Sequence, residues 1–211
     1  MTRNEFYFGT YFIRCNVKKS PLQDVKIREA LSITINQQDI IDYVTMGNQS
    51  PAAGIVPPFV GYNSPGDIKF DPDKAKKLLK DAGYPNGEGF PKINFLTTDR
   101  ESSKRLAEAL QAMWKKYLGI EISIQQMEWT SYLNTMMSKD YDLAAGGWIG
   151  DYMDPLTFLD MWIKDGGNNR TNWSNERFEE LLGEAERTAG QKERYEILGR
   201  AEKLFLDERP I

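Results

Sequence analysis

The run INFLTTDRESSKRLAEALQAMWKKYLGIEISIQQM, residues 93–127, carries the reading of the fold. Ile93–Thr97 is rich in β-branched and aromatic residues and reads as a strand. Thr98-Asp99-Arg100-Glu101 fits a capping box, which marks the start of a helix. Leu106, Leu110, Met113, Trp114 and Tyr117 then recur at helical spacing, and Gly119 closes the stripe. Ile120–Met127 alternates as a second strand. The pattern repeats in a helix over Thr130–Met137 and a strand over Tyr141–Ile149. Strands alternating with amphipathic helices predict an α/β fold with a largely parallel or mixed sheet flanked by helices.

The flanks are less regular. Residues 6–17 place Tyr7, Gly9, Tyr11, Ile13, Cys15 and Val17 against Phe6, Phe8, Thr10 and Phe12. Apolar residues in both sets predict a strand buried on both faces, with no partner evident. Pro21 and Asp24 lead into a helix over Val25–Ile35, and Asn36–Asp39 breaks it before a short one with Ile40, Ile41 and Val44. Residues 46–70 hold four of the ten prolines and read as one long irregular loop, of a kind that is usually functional or linking. Asp71-Pro72 supplies an N-cap and a proline at the first helical position. The helix it starts ends at Gly83. The glycine run Gly83–Gly89 follows that helix and contains Pro85, so it is a turn and not a phosphate loop. Asp154-Pro155 caps a further helix, and Glu176–Leu182 and Glu193–Leu206 read as two surface helices.

Composition removes whole classes of chemistry. The 211 residues predict one large domain or two small ones. Twenty-seven Lys+Arg against 31 Asp+Glu leave a net charge of −4, with no basic block to bind nucleic acid or an anionic membrane. There is no histidine, which excludes Ser-His-Asp and Cys-His catalysis and His-ligated zinc or haem. Cys15 is the single cysteine, a buried small hydrophobe by its place in the alternation, so no internal disulfide or thiolate cluster can form. No run of about 18 apolar residues spans a bilayer, and Met1–Glu5 has no signal-peptide core. Read from the residues alone, the chain is a soluble fragment or a cytoplasmic protein.

In open α/β sheets, ligands bind beyond the carboxyl ends of the strands. Strand 120–127 runs out at Glu128-Trp129, and strand 141–149 at Gly150-Asp151-Tyr152. Asp154 takes the cap before Pro155, which leaves Asp151 without capping duty. A ligand contact and a solvated turn stand level for Asp151. For Trp129, and for Trp148 in Gly146-Gly147-Trp148, packing is the favoured reading, and Trp114 belongs to the helical stripe. Asn168-Asn169 is turn material. Asp151, Asp154, Asp160 and Asp165 invite a glycosidase reading, yet Asp154 is a cap and Asp160 sits on a helix surface. The same residues lack the further oxygen ligands of a calcium loop. No catalytic residue, metal or cofactor is expected.

Three segments together resemble the solute-binding proteins of ABC peptide transporters, the oligopeptide-binding proteins in particular. They are Pro21–Leu31 with Ile35-Asn36 and Asp39-Ile40-Ile41; Phe70–Leu79 running into Ala82–Pro85; and Asp140-Tyr141-Asp142 leading to Gly147–Pro155, Phe158-Leu159 and Asn168-Asn169. The resemblance implies a type II periplasmic-binding-protein lobe, the one inserted in mid-chain, so that residues 1–211 are one lobe excised from a two-lobed protein. It implies that Asp151 pairs with the free α-amino group of a peptide. Trp129 would line a side-chain pocket, with Trp148 and Tyr152 flanking the aspartate. Two positions depart from the better-known members: Ser103 stands for a histidine and Ala145 for an arginine, and both bear on ligand length and register. The implied partners are an oligopeptide, the other lobe and the permease subunits, with no nucleic acid. The implied location is extracytoplasmic, at the membrane only through a lipid anchor of the parent protein. The alternatives are another solute of the same family (a dipeptide, nickel chelate, haem or sugar) and a carboxylate-based hydrolase.

Overall fold

The computed structural model describes residues 7–211, so Phe6 of the first alternation lies outside the described residues. Four strands form one mixed sheet in the order β1-β4-β2-β3, where β1 is Gly9–Cys15, β2 Ile93–Thr98, β3 Ile122–Met127 and β4 Leu143–Ile149. β2 runs parallel to β3 from Ile93↔Ile122 to Thr98↔Met127, and parallel to β4 at Phe95↔Leu143 and Leu96↔Ala144. β1 runs antiparallel to β4 from Gly9↔Ile149 to Cys15↔Leu143. The partner of β1 is therefore a strand more than a hundred residues away, and β1 is an edge strand.

The helices are α1 (Val25–Ile33), α2 (Gln37–Asp39), which continues into a π-turn over Ile40–Thr45, α3 (Pro72–Asp81), α4 (Glu101–Leu118), α5 (Trp129–Ser138), α6 (Leu156–Leu159), α7 (Glu176–Arg187) and α8 (Gln191–Glu208). Asp24 caps α1 by accepting from Lys26 N, and Asp71 caps α3 by accepting from Lys74 N, with Pro72 at the first position. Gly119 ends α4 at φ +72°, the left-handed conformation that favours glycine. The capping box at Thr98–Glu101 is not formed. Arg100 occupies the N-cap position without a side-chain bond, and Thr98 Oγ1 meets Ser103 Oγ at 2.8 Å instead.

Strand alternation sorts the sheet residues onto two faces. Cys15, Ile93, Phe95, Leu143 and Ala145 pack against Leu31 of α1, Leu79 of α3, and Leu110, Trp114 and Leu118 of α4. Trp114 Nε1 donates to the Leu31 carbonyl at 3.0 Å, so its one polar atom is satisfied. Burial pushes the Cys15 thiol up to about 12, which keeps it neutral and unreactive. On the opposite face, Leu96 and Ala144 meet Tyr132 and Met136 of α5. Phe12 on that face joins a larger aromatic core of Phe158, Trp162, Trp173, Phe178 and Phe205.

That aromatic core corrects two readings. α7 and α8 are not simply surface helices: Phe178, Leu181, Leu182, Leu198, Ala201 and Phe205 close over the second face of the sheet. Asn169 is no ordinary turn residue. It is buried, its amide donates to the carbonyls of Trp162, Ile163 and Trp173, and its oxygen accepts from Thr171. Residues 46–70 do form the expected irregular loop, but it is pinned from inside by Glu202 of α8. That carboxylate is 0% exposed and accepts from Val56 N at 3.0 Å, Tyr62 Oη at 2.6 Å and Ser64 Oγ at 2.8 Å.

Burial raises the Glu202 pKa above the usual carboxylate range, and its hydrogen bonds oppose the shift only in part. Glu202→Ala strands two buried donors and the half-buried Ser64 hydroxyl, and is expected to lower unfolding free energy by ~3 kcal/mol in urea titration. The pH dependence has a definite sign. The folded state holds the proton to higher pH than the unfolded state, so this site adds stability as pH falls from its raised pKa into the ordinary carboxylate range. Wild type should therefore gain stability relative to Glu202→Gln between neutral pH and about pH 4.

Candidate functional site

The parallel strands β2, β3 and β4 end on one rim, at Thr98, Met127 and Ile149, and β1 starts there at Gly9. The Phe8 carbonyl accepts from Gly150 N at 2.8 Å, extending the β1–β4 ladder by one residue. A Cβ at Gly150 would come within 2.7 Å of the Phe8 ring and 3.1 Å of the Phe158 ring. Only glycine lets the chain turn that closely over the aromatic core, and the turn delivers Asp151 to the rim.

Asp151 is exposed, its own N–H donates to Thr157 Oγ1 at 3.1 Å, and its carboxylate accepts no hydrogen bond from a described residue. Asp154 is fully engaged by contrast. It accepts from Leu156 N at 2.9 Å, in the first turn of α6, and holds the Arg194 guanidinium in a two-pronged ion pair at 2.5 and 2.9 Å. The capping duty expected of Asp154 is present, and the ion pair to α8 adds to it. Burial and then the nearby Asp151 charge raise the Asp160 pKa. Burial and then Asp160 and Asp154 raise that of Tyr152. The rim around Asp151 thus carries a local negative field, which favours a cationic group.

Trp129 is 51% exposed and stacks on Tyr132 with ring centres 5.6 Å apart, so it is not core filling. It opens α5 because Glu128 is the N-cap, accepting from Thr130 N and Ser131 N. That helix was read as starting at Thr130 without a role for Glu128. Trp148 packs on the aromatic core from one side, while Tyr152 is exposed. Ile149, Met153 and Tyr11 are exposed too, an apolar surface that the reading of a fully buried first strand had hidden. Ser103 lies in the first turn of α4, bonded to Thr98 at the end of β2. Ala145 is set apart from these. Its methyl is buried in the core with α1 and α4, and only its carbonyl meets a site element, accepting from Tyr132 Oη.

An unengaged carboxylate among half-exposed aromatic rings thus stands on the rim of a mixed α/β sheet, at the strand ends where open α/β sheets bind ligands. The chain belongs to family 5 of the bacterial extracellular solute-binding proteins, whose middle region matches residues 3–170. It is 35% identical to the oligopeptide-binding protein OppA of Bacillus subtilis, over 96% of this chain and 39% of the relative. It is 33% identical to the dipeptide-binding protein DppE of the same organism over equal shares. Among solved structures, an oligopeptide-binding protein of Borrelia burgdorferi superposes with a TM-score of 0.89 at 35% identity, covering 95% of this chain and 40% of that one. The chain spans about two-fifths of the length of these relatives.

The two carboxylates separate in a stability measurement. Asp151→Asn should leave unfolding free energy within ~0.5 kcal/mol of wild type, since its carboxylate makes no hydrogen bond or ion pair with a described residue. Asp154→Asn should lower it by ~2 kcal/mol, because a partly buried, charge-assisted pair is lost together with part of a cap. Equal effects in denaturant titration would contradict this division.

Proposed function

We propose that this chain is one wall of a two-lobed peptide-binding protein and that Asp151 holds the free α-amino group of the ligand. The observation that carries the reading is the carboxylate of Asp151, delivered by Gly150 to the strand ends and left without a hydrogen-bond partner among the described residues. A peptide lying extended between lobes can gain main-chain hydrogen bonds whatever its sequence. Waters bridging to varied side chains then make such a site tolerant. The charged terminus alone needs a fixed partner. Trp129, Trp148 and Tyr152 supply apolar surface around it, and Ser103 lies further along the rim. The negative field from Asp160 is consistent with an ammonium, as are the relatives named for peptides. The role is capture and delivery to membrane permease subunits outside the cytoplasm, the parent protein being lipid-anchored, with no cofactor and no catalysis.

Alone, this chain offers one side of the contacts while the cost of ordering a peptide is undiminished. Calorimetry with free-amino tri- to pentapeptides should give dissociation constants weaker than ~0.1 mM. Micromolar binding would sink the single-wall reading.

In a two-lobed protein carrying this lobe, the Asp151–ammonium pair is desolvated on closure. Breaking such a pair costs ~2–5 kcal/mol, roughly 30- to several-thousand-fold in affinity. Asp151→Asn should weaken free-amino peptides by that order, and acetylating the peptide N-terminus should do the same to the wild type. Acetylation should then have little further effect on the mutant, since both changes break one interaction. Independent, additive losses would remove Asp151 from the amine site.

A further inference from the structure

Among the described residues, three buried side-chain nitrogens have no hydrogen-bond partner: Arg14 Nε, Arg170 Nε and Trp148 Nε1. All three are donors. A buried donor left unmet costs about 1–3 kcal/mol, and more when charged, so folded chains rarely keep one. Arg28, equally buried, shows how this fold satisfies a guanidinium with its own atoms. It donates to the carbonyls of Leu22, Gln23, Glu208 and Arg209. Arg14 is only 6% exposed, and its Nε has no hydrogen-bond partner among the described residues.

The surroundings of Arg14 are shaped for its charge and supply no counter-charge. Its guanidinium carbon lies 4.7 Å from the centre of the Phe12 ring, and a Cβ at residue 146 would fall 2.0 Å from its Nη1. Gly146 therefore makes room for the guanidinium on the sheet face. The groups whose charges reach Arg14 are Tyr132, Tyr141, Arg170 and Tyr11, none of them a carboxylate. Tyr132 and Tyr141 each feel both arginines, so the two guanidinium groups share one neighbourhood between α5 and the loop after Asn169. Its position is informative. Trp148 follows Gly146 on the same face of β4, and Tyr132 stacks on Trp129.

We propose that Arg14 and Arg170 form an anion subsite of the ligand wall, taking a carboxylate of the bound molecule between Trp148 and Tyr132. The proposal rests on the peptide reading and deepens it: the wall has a cation-seeking end at Asp151 and a carboxylate-seeking pocket at the arginine pair. The carboxylate is either an acidic side chain or the C-terminus of the ligand.

The three donors are N–H groups visible in a nitrogen–proton NMR spectrum of this chain. Sodium acetate, against equal sodium chloride, should move the Nε–H signals of Arg14 and Arg170 downfield and saturate, leaving Arg28 in place. Signals that do not move, or that move equally at Arg28, overturn the subsite. The peptide arms use a two-lobed protein carrying this lobe, with Ala-Glu-Ala amide, Ala-Gln-Ala amide and Ala-Gln-Ala as the free acid. A side-chain source gives the glutamate peptide a tenfold or greater advantage over its glutamine twin, the ratio expected of one charge-assisted bond worth ~1.5–3 kcal/mol. A C-terminal source gives that advantage to the free acid. Either gain should vanish in Arg14→Met and in Arg170→Gln, the second of which sits on a partly exposed loop and carries the test alone where the first does not fold. Equal binding of all three peptides overturns the subsite and leaves the peptide reading standing. Binding of none overturns the peptide reading, and the acetate titration still decides the subsite.

Discussion

The antiparallel ladder between β1 and β4 is the constraint on which the rest depends. Seven residues near the start of the chain pair with seven that follow Asp142, so the ladder joins the beginning of the chain to the strand that extends the parallel β2–α4–β3 unit. It does three things at once. It fixes where Gly150 turns, because the Phe8 carbonyl holds Gly150 N. It brings Phe12 under the aromatic core of α7 and α8. It also lays Arg14 across Gly146, beside the row that ends in Trp148. A slip of one residue would reverse the faces of β1, exposing Phe12 and driving Tyr11 into its place.

The chain past β4 returns to the same edge. Pro210 accepts from Cys15 N, Thr171 accepts from Val17 N, and Arg28 draws the last carbonyls of α8 onto α1. Asn16 adds side-chain bonds to the carbonyls of Lys139 and Tyr141 and to Asn172. Buried side-chain–main-chain bonds of this kind are directional and unforgiving, since each removed partner strands another group. They lock the edge strand that periodicity alone could not place.

Local grammar carried most of the framework. Asp24, Asp71 and Gly119 act as read, and the strands at 93 and 143 fall within two residues of their expected bounds. Apart from the local caps at Thr98 and Glu128, the errors share one physical cause. The partner of β1, the inner face of α8 and the sockets of Glu202, Asn169 and Arg28 are set by residues far away in sequence, which neither composition nor spacing encodes. The same holds for the site. That Asp151 takes no part in capping was legible because Asp154-Pro155 accounts for the neighbouring carboxylate. Trp129 was not, because an exposed and a buried tryptophan after a strand look alike until Glu128 is seen to cap α5.

Charge is distributed with a consistent logic. Asp154 and Glu202 are consumed inside the fold, one by Arg194 and the other by three neutral donors, and each ties α8 to a segment near the site. Among the described residues, the Asp151 carboxylate and the Arg14 Nε are not consumed. The first keeps its acceptors in solvent at the strand ends, and the second keeps its donor beneath the surface against glycine and phenylalanine. Opposite charges held apart on one rigid sheet cannot collapse onto each other, which under the proposed function leaves each to the ligand. For a ligand with an ammonium at one place and a carboxylate at another, that separation fixes direction and register. Main-chain hydrogen bonds, identical at every residue, cannot do so.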